Sequence, residues 1–251
     1  MTFCSPTSQN LEGRLQGQDA SAPGLTPRGH AQAAALGAAL AERWAERQAG
    51  GPPSPRPPAL FSSDLARAVE TADAVAHALR LPGPAILDAA FRERHLGTLH
   101  GRRRVDLRAA RAAGDAQARA SLCALAAGAP LPGGGEGAAA VRARVAAGLG
   151  RAARVAGPGG VAIIISHGGA VAQAHWLAAG RAPGGSGGRV PNAALCRLLA
   201  SAPSAGGPPL IIALAEDGVV GGRVVRPAWA DAGHLARVGG GGEGGGGAAG
   251  G

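Results

Sequence analysis

The sequence predicts an α/β domain on a largely parallel sheet, and three observations carry that expectation. The run Val161-Ala162-Ile163-Ile164-Ile165 is apolar and mostly β-branched, without alternation, the pattern of a central strand buried on both faces. Ser166-His167-Gly168-Gly169 and a helical stretch to about residue 179 follow at once. The same strand-then-helix order occurs earlier, where an apolar stretch at residues 59–62 leads into a helical pattern over 64–79. In such sheets ligands bind at the carboxyl ends of the strands, so residues just after each strand are the first candidates for a site.

The remaining elements follow in order. Thr26 suits a helix N-cap and Pro27 the first helical position, ahead of a strong helical run at 31–47. Residues 50–58 are a Pro-rich surface connection. Further helices are expected at 102–113 and 136–155, with a flexible loop at 126–137. Beyond the 161–165 strand and its helix come a loop at 180–188, strands at 193–199 and 210–215, and a loop at 201–209 between them. The Gly/Ala tail from 239 to 251 cannot build a core and is expected to be disordered.

Composition narrows the function. About 250 residues suffice for one large domain with a real core. The formal charge of +9 invites a nucleic-acid reading, yet all 25 basic residues are Arg and Lys is absent. Gly, Ala, Pro and Arg share GC-rich codons, so this bias points to genome composition. Aromatics at 2% leave little for bases to stack on, and no nucleic-acid partner is expected. Mean hydropathy is +0.08 and no apolar run nears 18 residues, so no transmembrane helix and no membrane partner are expected. Cys4, Cys123 and Cys196 contain no CxxC pair, which argues against a disulfide scaffold or zinc module. Residues 1–9 hold no signal-peptide core, and the expected compartment is the cytoplasm.

Four constellations carry chemistry. A strand delivering His167 onto a helix start suits anion binding, because free N–H groups and the helix dipole face the ligand. Taken alone it is equally well a strand-end His closing a turn. In Ser62-Ser63-Asp64-Leu65-Ala66-Arg67, Ser63 or Asp64 caps a helix and Arg67 falls one turn in, where its planar fork matches two phosphate oxygens. The plainer alternative is an exposed helical Arg. Glu93, between Arg92 and Arg94, reads either as a salt-bridged surface carboxylate or as a general acid in an anionic pocket. Asn10-Leu11-Glu12-Gly13-Arg14-Leu15-Gln16-Gly17 reads singly as a polar loop.

In this order the four resemble the histidine phosphatase superfamily, the fold of cofactor-dependent phosphoglycerate mutase. Its members carry R-H-G-x-T-x-x-N, G-R-x-Q-G, L-T-x-x-G, S-S-D-L-x-R-A-x-x-T-A, E-R-x-x-G, G-E-S and S-H-G-G. Here Gly135-Glu136-Gly137 stands for G-E-S with Gly replacing Ser, and Arg144 follows at the usual place. Residues 192–195 and 231–235 are similar to the closing strands of plant phosphoglycerate-mutase-like proteins. The resemblance implies a three-layer sandwich over residues 1–237, with the tail 238–251 outside it. It implies that His167 and Arg67 bind the phosphoryl group and that Glu93 protonates the leaving alcohol. Asn10, Gln16, Gly17, Arg94 and Gly168 would line the substrate side. A neutral imidazole attacks phosphorus and water releases the phosphohistidine, a scheme that needs neither metal nor cofactor.

One part of the motif is absent. Counting back from Thr7-x-x-Asn10, R-H-G falls on Phe3-Cys4-Ser5, so the nucleophilic His is Cys4 and no residues are left for the strand before it. Three accounts follow: a protein whose true start lies upstream, a pseudoenzyme that binds phosphorylated ligands or a protein partner, or a Cys4 thiolate nucleophile. Gly135 follows Gly97 by 38 positions, with neither Trp nor Tyr between, whereas the family's mutases carry a longer insertion there. A short cover favours hydrolysis over phosphoryl transfer. The expectation is therefore a phosphomonoesterase acting on a small phosphorylated metabolite; non-catalytic binding of a phosphorylated ligand and a mutase are the alternatives.

Overall fold

The computed structural model describes residues 2–3, 7–19, 24–50, 56–178, 197–201 and 210–214, with 2–3, 10–11, 197–201 and 210–214 described by their backbone. In chain order the elements are β1 (Thr2–Phe3), α1 (Ser8–Leu11), α2 (Pro27–Gly50), β2 (Ala59–Ser62), α3 (Ala66–Ala78) and β3 (Ile86–Leu87). Then come α4 (Arg104–Ala112), α5 (Ala116–Ala127), α6 (Ala138–Ala156), β4 (Ala162–Ser166), α7 (Gly168–Ala178), β5 (Arg197–Ser201) and β6 (Leu210–Leu214).

Four strands form one parallel sheet in the order β1-β4-β2-β3. The apolar residues of β2 and β4 explain its layers, because successive side chains leave opposite faces of a strand. Leu60 and Ile165 are buried with Leu36 of α2 and with Ala68, Ala72 and Val75 of α3. Phe61 and Ile164 go the other way, onto Val141, Val145, Leu149 and Ala152 of α6, Ala170 and Ala174 of α7, and Phe91. The result is the three-layer sandwich, with helices on both faces.

The first strand is truncated, in keeping with the motif count: only Thr2 and Phe3 form it, pairing with Ile165 and Ser166 along the edge of β4. Two residues suffice because the buried partner β4 supplies the hydrogen-bonding edge.

A third apolar cluster, Leu15, Leu96, Leu99, Leu107 and Leu131, sits with the α4–α5 pair beside the sandwich. Here two expectations change. Helix α5, which the sequence pattern does not announce, starts at Asp115, whose Oδ1 accepts from the N–H groups of Gln117 and Ala118 at 2.8 and 2.9 Å, and ends at Gly128 with φ +72°. The segment expected to be a flexible loop instead turns back on itself. Leu131 is buried, and Leu131 and Gly135 exchange two backbone hydrogen bonds of 3.0 Å. Of the later strands β6 lies within the expected 210–215, while β5 runs from Arg197 to Ser201 where 193–199 is expected, residues 193–196 being outside the described ones; the two pair antiparallel, apart from the parallel sheet. The Pro-rich stretch at 51–55, the loops at 180–188 and 202–209, residues 231–235 and the tail 238–251 lie outside the described residues.

Helix α6 meets the 3-10 turn Ala89–Phe91 at Gly148, where an added Cβ would stand 2.9 Å from both Ala90 Cβ and Phe91 Cζ. Gly148→Val is therefore expected to lower stability by about 2–3 kcal/mol, the cost of overpacking a core. Urea unfolding checks it; a midpoint equal to the parent's would show that the turn gives way freely.

Candidate active site

β2 and β4 run side by side and end together, and their continuations build the site. The N–H of Ser63 donates to the carbonyl of Ile165 at 2.9 Å, which holds the two strand ends in step. His167 follows β4 directly, and its carbonyl accepts from the N–H of Val171 at 2.8 Å, making it the cap residue of α7. Its ring is 1% exposed, with Nε2 2.8 Å from Oγ of Ser63. Burial, reinforced by the positive charges of Arg67 and Arg144, pushes the His167 imidazole well below its ordinary value, so it is neutral at pH 7.

Arg67 lies one turn into α3 and is 4% exposed. Its Nη2 donates to the carbonyl of Gly17 at 3.0 Å, and among the described residues no carboxylate pairs with it. A buried guanidinium without a counter-charge is costly unless an anion completes it.

Glu93 reaches the same helix start from a different segment. Its Oε1 accepts the N–H of Arg94 at 2.6 Å and its Oε2 accepts the N–H of Gly169 at 3.1 Å. Gly169 has to be glycine for this approach, since an added Cβ would stand 2.1 Å from Oε1 of Glu93. Gly168 is the first residue of α7. His167, Arg67 and Glu93, read from three separate motifs, thus converge on the ends of β2 and β4.

The segment that carries Glu93 is clamped by Arg144, from α6. Its guanidinium donates to the carbonyls of Ala90, Arg92 and Glu93 at 2.9, 2.7 and 2.9 Å, and to both carboxylate oxygens of Glu136 at 2.9 Å. Glu136 also accepts from the N–H of His95 at 2.8 Å and from Nε2 of Gln18 at 3.1 Å. Burial alone would raise the Glu136 carboxyl, but the Arg144 and His95 donors outweigh it and hold the group below its usual range. Beside the clamp, Arg92 donates two bonds to Asp64, at 2.6 and 2.5 Å, and that pairing lowers the Asp64 carboxyl. A cavity of about 460 Å³ opens here, lined by Gln18, Asp64, Leu65, Ala66, Val69, Glu70 and Arg92.

The expected substrate-side residues divide. Gly17 touches Arg67 through its carbonyl and the imidazole Nδ1 of His100 through its N–H, at 3.0 Å each. Gln16 accepts from the Thr7 hydroxyl at 2.8 Å through its Oε1, and among the described residues its buried Nε2 has no hydrogen-bond partner. Asn10 lies in α1, described by its backbone, and Cys4 lies outside the described residues. Arg94 is engaged by backbone carbonyls. Its Nε, Nη1 and Nη2 donate to the carbonyls of Glu136, Leu125 and Ala129 at 2.7, 3.5 and 2.5 Å. Reaching a substrate would require breaking those bonds. Burial lowers the Arg94 guanidinium, partly offset by the charges of Glu93 and Glu136. Sequence reasoning misses Ser63, Gln18 and the Arg92–Asp64 pair as site residues, although it reads Ser63 and Asp64 as helix caps. Among the described residues no cluster of His, Cys, Asp and Glu has the make-up of a metal site.

Comparison with known proteins identifies the family and the fold. A sequence model of the histidine phosphatase superfamily (branch 1) matches residues 5–203. No curated protein matches the chain. Among solved structures, a mycobacterial glucosyl-3-phosphoglycerate phosphatase in complex with VO3 is 27% identical, over 79% of this chain and 90% of that one, with a TM-score of 0.60. TTHB049 from Thermus thermophilus is 28% identical over 78% of this chain and 89% of that one, with a TM-score of 0.51. YhfR from Bacillus stearothermophilus, at 21% identity, 84% and 93% coverage and a TM-score of 0.61, shares the fold. With the family matched across most of its length and a parallel sheet ending in His167, Arg67 and Glu93, the chain belongs to the histidine phosphatase superfamily.

Proposed function

We propose that the chain carries a phosphomonoester site of the phosphatase type for a small phosphorylated metabolite. The nucleophilic His of the family's motif is absent at its position in the sequence given. The carrying observation is Arg67, a buried cation without a carboxylate partner among the described residues, lying close to a neutral His167. A phosphoryl group placed there supplies the missing negative charge. Arg67 and His167 then donate to its non-bridging oxygens, and the N-terminal end of α7 adds the positive end of its dipole. Glu93, fixed at that helix start, is the residue placed to protonate the leaving alcohol oxygen. Gly17 holds Arg67 in position, and Gln16 offers the substrate side an amide Nε2 that has no partner among the described residues. We assign Arg94 to bracing the 125–136 segment.

The alcohol side of the substrate fits the cavity beside Asp64 and Arg92. The VO3 bound by the similar mycobacterial phosphatase, an oxyanion like phosphate, supports the same reading. Replacement of R-H-G by Phe3-Cys4-Ser5 favours a second reading, in which the chain binds its phosphorylated ligand without turning it over. We take residues 1–237 as a single domain, with 238–251 a tail beyond it, acting in the cytoplasm. Among the described residues no helix is long and apolar enough to cross a membrane.

Thermal unfolding with and without inorganic phosphate tests the site. Phosphate at about a hundredfold excess over its Kd is expected to stabilise the protein by about 2.7 kcal/mol. Arg67→Gln and His167→Ala should each remove most of that gain. An unchanged phosphate response in both variants would place the anion elsewhere.

A further inference from the structure

Five of the ten residues 102–111 are arginines, and Asp106 is the single acid among them. The whole chain holds 25 in 251, so a codon bias that raises Arg everywhere does not account for a fivefold local excess. All five, Arg102, Arg103, Arg104, Arg108 and Arg111, are exposed. Arg104, Arg108 and Arg111 are spaced i, i+4, i+7 along α4 and share one stripe of its surface. The acids near the stripe offset little: Asp106 is exposed 4.0 Å from Arg103, Glu12 already pairs with Arg14, and Asp115 is engaged in capping α5.

The stripe begins at the rim of the active site. Leu15 donates its N–H to the carbonyl of Arg102 at 2.9 Å, Arg104 donates to the carbonyl of Gly13 at 3.2 Å, and Gly17 donates to His100 at 3.0 Å. Leu15 is two residues from Gly17, which holds Arg67. At 1.5 Å per residue, Arg104 to Arg111 covers about 10 Å, matching about three residues of extended polypeptide. Between the arginines and the side of α4 away from Leu107 lie exposed Val105, Ala109 and Ala112, which are aliphatic and offer bases nothing to stack on.

We propose that this surface docks an acidic polypeptide segment of a partner protein, one end of it at the mouth of the phosphoryl site. The affinity comes from several exposed charge pairs, so it falls with salt, and the binding does not need Arg67.

The test uses the full chain and a fluorescent octaglutamate peptide, followed by anisotropy at low and at physiological salt. Arg102→Glu/Arg108→Glu/Arg111→Glu is expected to weaken binding at least about tenfold. The control Arg28→Glu/Arg80→Glu/Arg154→Glu reverses as many exposed charges elsewhere and should leave binding near the parent value. Thermal unfolding of both variants checks that they fold, and the Gln versions replace any that does not. Excess inorganic phosphate should not displace the peptide. Three results would overturn the proposal: equal weakening by the control, no salt-dependent binding at all, or tighter binding of a single-stranded DNA of equal charge.

Discussion

Replacing Phe3-Cys4-Ser5 by Arg-His-Gly is expected to raise hydrolysis of p-nitrophenyl phosphate at least about 100-fold over the chain as given. The reason is positional. Phe3 ends β1 and pairs with Ser166, the residue directly before His167, so the backbone leading to position 4 starts on the strand beside the site. On the proposed reading, other segments supply Arg67 for the equatorial oxygens, a neutral His167, and Glu93 at the start of α7, and Phe3→Arg adds a second guanidinium for the phosphoryl group. The missing piece is an imidazole able to form a covalent intermediate. The triple variant should also become phosphorylated by substrate, which intact mass shows directly. Cys4→Ser separates the remaining accounts. If the chain as given hydrolyses the ester and Cys4→Ser abolishes it, the thiolate is the nucleophile. If the triple variant binds phosphate through Arg67 yet gains no hydrolysis, position 4 is not where the nucleophile belongs.

The largest loss of stability from a single side chain is expected at Arg144. Arg144→Ala removes five hydrogen bonds, takes from the Glu136 carboxylate its charged partner, and deprives the carbonyls of Ala90, Arg92 and Glu93 of a donor. Breaking a buried pair by removing one partner costs about 3–5 kcal/mol, and with about a fifth of each side chain exposed here, about 2–4 kcal/mol is expected. The effect depends on pH with a definite sign. Glu136 is held below its ordinary 4.5, so its share of stability is present above that value and is lost as pH falls through the lower folded value. In Arg144→Ala burial is left to oppose only the His95 donor, so this acid-dependent loss shrinks or reverses, and the variant's deficit against the parent should be smaller at pH 4 than at pH 7. Urea midpoints at pH 7 and pH 4 measure both effects. Arg144→Lys should recover little, because an ammonium cannot bridge a carboxylate and three carbonyls at once. A midpoint within experimental error of the parent at pH 7 would show that the clamp contributes nothing.

How much of this is legible in the sequence depends on how local the cause is. β2 and β4 show as apolar runs because both faces of each are buried, and α3 and α6 show through their periodic apolar residues. β3 does not, since Ile86 and Leu87 are 46% and 53% exposed and only pairing with β2 makes them a strand. α5 is so rich in Ala that no periodicity stands out, although its ends, Asp115 and Gly128, are of the residue types that cap helices. In the site, His167 and Arg67 are placed by what immediately precedes them, so short motifs suffice. Arg144 is different, because its partners at 90, 92 and 93 are more than fifty positions away and are carbonyls, which carry no residue identity. The direction of Arg94 is unreadable for the same reason.

On the proposed reading, the desolvated ring of His167 would make anion capture at this site a proton-coupled event. Empty, the imidazole resists protonation, because burial and two nearby guanidinium groups already oppose a further positive charge. An arriving oxyanion reverses the local potential and lets the ring accept a proton, so binding and proton uptake become one thermodynamic step. Sulfate, which does not itself titrate near neutrality, should therefore bind more tightly as pH is lowered, and the protein should withdraw protons from the buffer as it does so. A product anion would be held most firmly in acid and released most readily on the alkaline side, which makes ambient acidity a regulator of how long the site stays occupied.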